Sequence, residues 1–245
     1  MRPAPPLLAV AHGSRDPRHA EAMAALAGRV RALRPGLRVE IGYLDHCGPR
    51  VPERLDELAD AGADAVVAVP LLFTPAFHAK QDVPDVLRHT RLTVRQAATL
   101  APSPLLLAAL DLRMREAGVR LGDGRYGVVL ATAGSTDPEA NAVITIVARE
   151  WRRTGWCAVV PAFASVHQGS TIGAAVADLR ALGAERIVVA SCMLAPGILP
   201  DRIREQAAAA GADPITEPVA DTDEIARLVL DRYDAALPSR SRLSA

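Results

Sequence analysis

Two histidines stand where a chain could present them to a ligand. His12 directly follows a short apolar run, in Ala-His-Gly-Ser-Arg-Asp-Pro, and Gly13 leaves room for a ligand to approach the backbone beside it. His78 closes the apolar stretch Pro-Leu-Leu-Phe-Thr-Pro-Ala-Phe-His, residues 70–78. A stretch of that length is uncommon as mere connection and reads as a binding wall. Asp45 follows a second apolar run. Neutral imidazole binds first-row divalent metals and accepts protons near neutral pH, so convergence of these three residues makes a metal or acid–base site. Taken singly, His12 reads equally as a cap for its loop or for the next helix.

Convergence requires a particular fold. Short apolar runs alternate with helix-periodic stretches, the pattern of repeated βα units around a parallel sheet. Strands are expected at residues 7–11, 38–44, 65–69 and 92–97. Between the first two, residues 19–33 place Met23, Leu26, Val30 and Leu33 on one helical face, and Pro35-Gly36 ends the helix. Residues 51–61 do the same with Leu55 and Leu58, and Pro102-Ser103-Pro104 opens a helix to about residue 117. Open parallel sheets bind ligands beyond the carboxyl ends of their strands, and the doubly wound order 2-1-3-4 sets the segments bearing Asp45, His12 and His78 side by side.

The plan then repeats. Strands are expected at residues 126–131, 158–163, 186–191 and 214–217, with helices near 138–153, 171–182, 200–210 and 222–236. Gly13-Ser14-x-Asp16-Pro17 corresponds to Gly134-Ser135-x-Asp137-Pro138, and Gly62-Ala63 to Gly183-Ala184, both at a shift of 121 residues. One shift at two separated points implies two copies of one fold. The expected fold class is α/β: two duplicated, doubly wound parallel-sheet domains facing each other over a cleft. Residues 1–119 and 124–237 form the halves, the glycine-rich residues 118–124 the link, and 238–245 a polar tail. The shift pairs His46 with His167, but sets Ala133 opposite His12 and Leu199 opposite His78.

Composition narrows the partners. Lys+Arg and Asp+Glu both total 28, so no global charge suggests a nucleic acid or a membrane surface, and a charged substrate must be met locally. The single lysine, Lys80, lies two residues after His78. Cys47, Cys157 and Cys192 are odd in number, widely spaced and form no Cys-x-x-Cys pair, so neither a disulfide framework nor a thiolate zinc or iron–sulfur site is indicated, and a reducing compartment fits. The N-terminal apolar run is too short for a signal sequence or span, so the expected location is cytoplasmic. No Gly-x-Gly-x-x-Gly, Walker loop, nucleophile elbow or zinc-protease helix occurs, which weakens nucleotide, hydrolase and protease readings. His46 and His167 read as a shared structural hydrogen bond, Cys47 as a packing residue, and His19 and His89 as exposed.

The pair Ala-His12-Gly-Ser-Arg and Pro70-Leu-Leu-Phe-x-x-x-x-His78-x-x-x-Asp82-Val-Pro84 resembles the signature of the CbiX-type sirohydrochlorin chelatases, the class II chelatases of sirohaem and cobalamin synthesis. The resemblance covers both halves. It implies insertion of Fe2+ or Co2+ into sirohydrochlorin, with metal binding by His12 and His78, assistance from Asp45, and no organic cofactor. Two departures stand out: Ala76 where the family pattern usually has Gly, and Asp45 for the more common Glu, which shortens the carboxylate's reach. Sirohydrochlorin is a polycarboxylate, and Arg15, Arg50 and Lys80, with Ser14, are the nearest candidates to hold it. Arg202 and Arg204 stand in the equivalent region of the second half. Two fused halves remove the need for a dimer to close the cleft, so a monomer is favoured. A rival from another class is a non-catalytic tetrapyrrole or metal carrier of the same fold. A phosphate- or nucleotide-sugar-binding protein is a weaker one, because the Gly-rich loop is missing.

Overall fold

Leu-Leu-Ala-Val-Ala has no polar side chain to offer water on either face, and it forms β1 (Leu7–Ala11), buried throughout at the centre of a parallel sheet. The computed structural model describes residues 4–75, 78–165 and 170–238, with His78 described by its backbone. In the first half, β1 is followed by α1 (Pro17–Leu33), β2 (Val39–Tyr43), α2 (Val51–Asp60) and β3 (Ala65–Pro70). A π-helical turn (His78–Asp82), α3 (Val83–Leu87), β4 (Thr93–Gln96) and α4 (Pro104–Glu116) complete it. The strand order is β2-β1-β3-β4, all parallel, as the doubly wound reading requires.

The second half runs β5 (Tyr126–Thr132), α5 (Pro138–Arg152), β6 (Ala158–Phe163), α6 (Ile172–Ala181), β7 (Arg186–Ser191), α7 (Ile198–Ala209) and α8 (Asp223–Ala236). Its sheet has the order β6-β5-β7. The strand expected at residues 214–217 is reduced to one bridge between Val189 and Ile215. Prolines at 214 and 218 lack the N–H donors that would extend the ladder.

The repeat is visible atom by atom. Asp16 caps α1 and Asp137 caps α5, each accepting from the amide two residues on, at 3.0 and 2.9 Å. Ser14 and Ser135 each accept from the amide of that aspartate at 3.0 Å. Gly13 and Gly134 both take positive φ, 93° and 83°, at the turn between strand and helix.

The halves differ from two cores joined by a linker. One apolar cluster runs from Leu7 and Val67 in the first sheet to Val128 and Val188 in the second. The last helix of each half crosses over: α8 packs on α1 and β3, while α4 packs on β7 and on α8. Polar contacts fix the exchange. Tyr233 on α8 donates to the Pro5 carbonyl at 2.6 Å, and Arg232 donates to the Thr99 and Leu100 carbonyls. Trp151 on α5 donates its indole N–H to Asp111 on α4 at 2.8 Å. Arg113, buried on α4, donates to the Pro218 carbonyl at 2.7 Å and pairs with Asp221. Among the described residues no helix is long and apolar enough to cross a membrane.

Candidate functional site

The site grows from the carboxyl ends of the first-half strands. β1 delivers His12, and the Asp45 amide, just beyond β2, donates to the His12 carbonyl at 2.9 Å. Gly13 between them has φ +93°, and a Cβ there would lie 1.9 Å from the Asp45 carbonyl oxygen. Only glycine permits so close an approach. His46 follows in the left-handed region, φ 66°, which turns its ring edge-on to that of His12 with centroids 5.5 Å apart. Past β3, the Leu71 amide donates to the Val10 carbonyl at 2.8 Å, and the backbone of His78 opens the π-helical turn. The segments bearing Asp45, His12 and His78 thus leave adjacent strands in the expected order.

A cleft of about 740 Å³ lies over these strand ends. The first half contributes His12, Ser14, Arg15, His19, His46 and Phe73, and the second contributes Ala133, Asn141, Ser165 and Leu199. Ala133 and Leu199, the register mates of His12 and His78, therefore face the same space without offering nitrogen. A smaller recess beside it is lined by Asp45, Cys47 and Arg50, and shares Arg15 and His46 with the main cleft. The Asp45 carboxylate accepts from the His46 amide at 2.7 Å and from Arg50 at 3.0 Å, and both lower its pKa, so it is an anion at neutral pH. The Arg50 amide is in turn held by Glu53 at 2.7 Å. Cys47 is half-buried against the core, as a packing residue would be. The Cys192 thiol is enclosed in the cleft floor, and burial pushes its pKa up to about 12, which leaves it unreactive at neutral pH.

Lys80, expected near the substrate, is engaged elsewhere. Its ammonium donates to Asp137 and Glu139 of the second half, which raises its pKa, and it is not among the described residues lining the cleft. Arg204 pairs with Glu217 at 2.9 Å, and neither it nor Arg202 lines the cleft. His167 and residues 76–77 lie outside the described residues. His89 is exposed as expected.

His19 corrects the sequence reading, which put it on the surface. It lies in the first turn of α1, half-buried, with its ring 6.2 Å from that of Tyr43 and its Nδ1 enclosed without a hydrogen-bond partner among the described residues. Burial pushes its pKa down. The signal was present in the spacing, because His19 precedes Met23 by four and so extends the buried stripe by one turn toward the cleft. Among the described residues no group of three His, Cys, Asp or Glu side chains forms a cage for a metal ion.

Two halves of parallel α/β structure, with a histidine at the sheet's carboxyl edge opening into a shared cleft, define a protein of the class II chelatase type. The CbiX family model matches residues 6–117 and 127–236, and the chain belongs to that family. The chain is 26% identical over 207 residues to a sirohydrochlorin cobaltochelatase of Priestia megaterium, covering 81% of this chain and 67% of that protein. It is 28% identical over 147 residues to a sirohydrochlorin ferrochelatase of Bacillus subtilis, covering 58% of this chain and 56% of the relative, little more than half its length. The fold superposes on SirB of Bacillus subtilis, solved with Fe3+, at a TM-score of 0.77, with 22% identity and 94% of each chain covered.

Proposed function

We propose that this chain is a sirohydrochlorin chelatase, inserting Fe2+ or Co2+ into sirohydrochlorin on a route to sirohaem or cobalamin. The observation that carries the reading is the position of His12 at the carboxyl end of the central strand, facing a cleft to which both halves contribute. Membership of the CbiX family and relatives named as cobalto- and ferrochelatases support it. A cleft of about 740 Å³ falls within the ordinary range of small-molecule pockets.

In this reading His12 and His78 are the metal ligands, and the metal is a substrate that must be surrendered. Two imidazoles leave coordination positions open, through which the ring nitrogens take over; a closed cage would retain the ion. Insertion releases two pyrrole protons for each divalent ion, so charge balances, and imidazole serves as acceptor near neutral pH. Asp45, ionised and beside His46, supplies negative charge next to the His12 segment. Ser14 and Arg15 meet the substrate's carboxylates from the main cleft and Arg50 from the adjoining recess, where guanidinium forks suit bidentate pairing. Residues 1–119 carry the chemistry and residues 124–237 form the opposite wall. The protein acts as a cytoplasmic monomer.

The test is anaerobic mixing with sirohydrochlorin and each metal in turn, following the ring's absorption after subtraction of the spontaneous rate. Many turnovers per protein are expected. Metallation that stops near one equivalent identifies a carrier instead.

A further inference from the structure

Two charged clasps join the halves, and the internal repeat relates them. In one, Lys80 Nζ on the π-helical turn of the first half donates to Asp137 Oδ2 at 2.8 Å and to Glu139 Oε2 at 2.7 Å, at the start of α5. In the other, Arg18 at the start of α1 donates to Asp16 Oδ2 and to Asp201 Oδ2 on α7, both at 2.6 Å. The shift of 121 carries Asp16 onto Asp137, Arg18 onto Glu139 and Lys80 onto Asp201. The same three positions therefore build both clasps, with the charges of two of them exchanged.

That exchange selects the pairing. A first half set against a copy of itself would bring Lys80 to Arg18 as well as to Asp16, and a second half against its copy would bring Asp201 to Asp137 and Glu139. Like charges would meet in each case, whereas first against second satisfies every group. Exposed pairs of this kind add little stability and are screened by salt; Glu139 is 80% exposed and Lys80 41%. Their value is positional. Asp137 is itself fixed by its cap bond to the Glu139 amide, and the backbone beside Lys80 is held from below, where Gln96 on β4 donates to the Ala79 carbonyl at 3.2 Å. The turn that begins at His78 is thus gripped by its own sheet on one side and by α5 of the other half across from it.

We propose that Lys80 is a positioning residue for metal transfer: by tying the His78–Asp82 turn to α5, it fixes the backbone from which His78 departs. The proposal rests on the chelatase reading with His78 as ligand. The competing role for Lys80, direct contact with substrate carboxylates, makes the opposite prediction for its acidic partners.

The experiment compares steady-state Co2+ insertion into sirohydrochlorin by the full chain, Lys80→Gln, Lys80→Arg, the double variant Asp137→Asn with Glu139→Gln, and the combination of Lys80→Gln with that double variant. Asn preserves the helix cap. Loss of a group that orients a metal ligand costs roughly 10- to 100-fold, so kcat should fall at least about tenfold. The expected result is the same loss from either side of the clasp, KM for the ring within about twofold, no further loss on combination, and partial recovery in Lys80→Arg. The proposal is overturned if Lys80→Gln raises KM at unchanged kcat while the acidic double variant keeps or lowers KM, which makes Lys80 a substrate contact. It is equally overturned if none of the variants changes either constant. Absence of turnover by the unaltered chain with every metal would defeat the chelatase reading instead. Titration of the same variants with Co2+ alone then reads the clasp: equal loss of affinity from both sides supports it, and unchanged affinity overturns it.

Discussion

The Asp45 amide donates to the His12 carbonyl at 2.9 Å, and Gly13 lies so close that a Cβ on it would stand 1.9 Å from the Asp45 carbonyl oxygen. The ends of β1 and β2 are stitched together at the point where His12 enters the cleft. Gly13→Ala therefore meets two penalties, a left-handed backbone and a main-chain clash. A loss of about 3 kcal/mol in unfolding free energy is expected. Gly36→Ala is the control, because Gly36 also has positive φ, +87°, but open space around it, and only about 1 kcal/mol should be lost. Urea midpoints at unchanged slope measure both. Equal losses would mean that the close approach to Asp45 is unimportant.

The second prediction concerns acid. Burial holds the His19 pKa below its ordinary value of 6.5, whereas the unfolded chain titrates near 6.5. Between the two values the unfolded state binds a proton that the folded state does not. The contribution of the neutral ring is thus complete above about pH 6.5 and is lost as pH falls through the folded value. The lowered carboxylates, Asp16, Asp45 and Asp137, give up their contribution only below about pH 4, a separate window. The melting temperature should fall between pH 7 and 5, and less steeply in His19→Gln. Parallel curves for the two proteins would assign the acid sensitivity to another group.

Exchange of α4 and α8 leads to a third expectation. Because one apolar cluster spans both halves, unfolding followed by the fluorescence of Trp151 and Trp156 should coincide with loss of helix across the whole chain. Arg113→Met removes the donors that hold the Pro218 carbonyl and Asp221, and leaves the carbonyl unpaired. Asp221 is more than half exposed and regains water, so the expected cost is about 2 kcal/mol rather than that of a fully buried pair. Two separated transitions would show that the halves fold as independent units.

What could be read from the sequence was what local chemistry decides. Gly-Ser-x-Asp-Pro is a strand-to-helix turn with its own cap, so Gly13 and Gly134 announced the repeat and the entry point of His12. Helices over α4 and α8 are expected from the sequence, but nothing local says which sheet each will cover, and the crossing of Arg113 to Pro218 spans 105 residues. Lys80 lies two residues after His78 in the sequence, but its partners, Asp137 and Glu139, lie 57 and 59 residues on, and no local pattern joins them. The sequence pattern opens this helix at residue 19, a fraying end, whereas α1 begins at Pro17, and the two extra residues bring His19 onto the buried stripe.

The last prediction is that the chemistry is one-sided. Ala133 and Leu199 occupy the positions of His12 and His78 in the second half, and both line the cleft, so that wall carries neither a metal ligand nor a proton acceptor at these sites. The turn itself persists there, with Ser135 accepting from Asp137 and Asp137 capping α5 as Ser14 and Asp16 do for α1. A fold kept intact while its histidines are absent is suited to shaping the space over the ring and excluding water from it. His12→Ala should then reduce turnover by roughly 100-fold, the scale of a lost acid–base or ligand group, with the melting temperature nearly unchanged because His12 sits on a loop. His167, the register mate of His46, should be dispensable, with His167→Ala within about twofold of the unaltered chain. Both variants are assayed under metal-limiting conditions, beside thermal melts that detect unfolding. If His167→Ala loses as much activity as His12→Ala while remaining folded, the path of the metal crosses both halves and the one-sided arrangement is wrong.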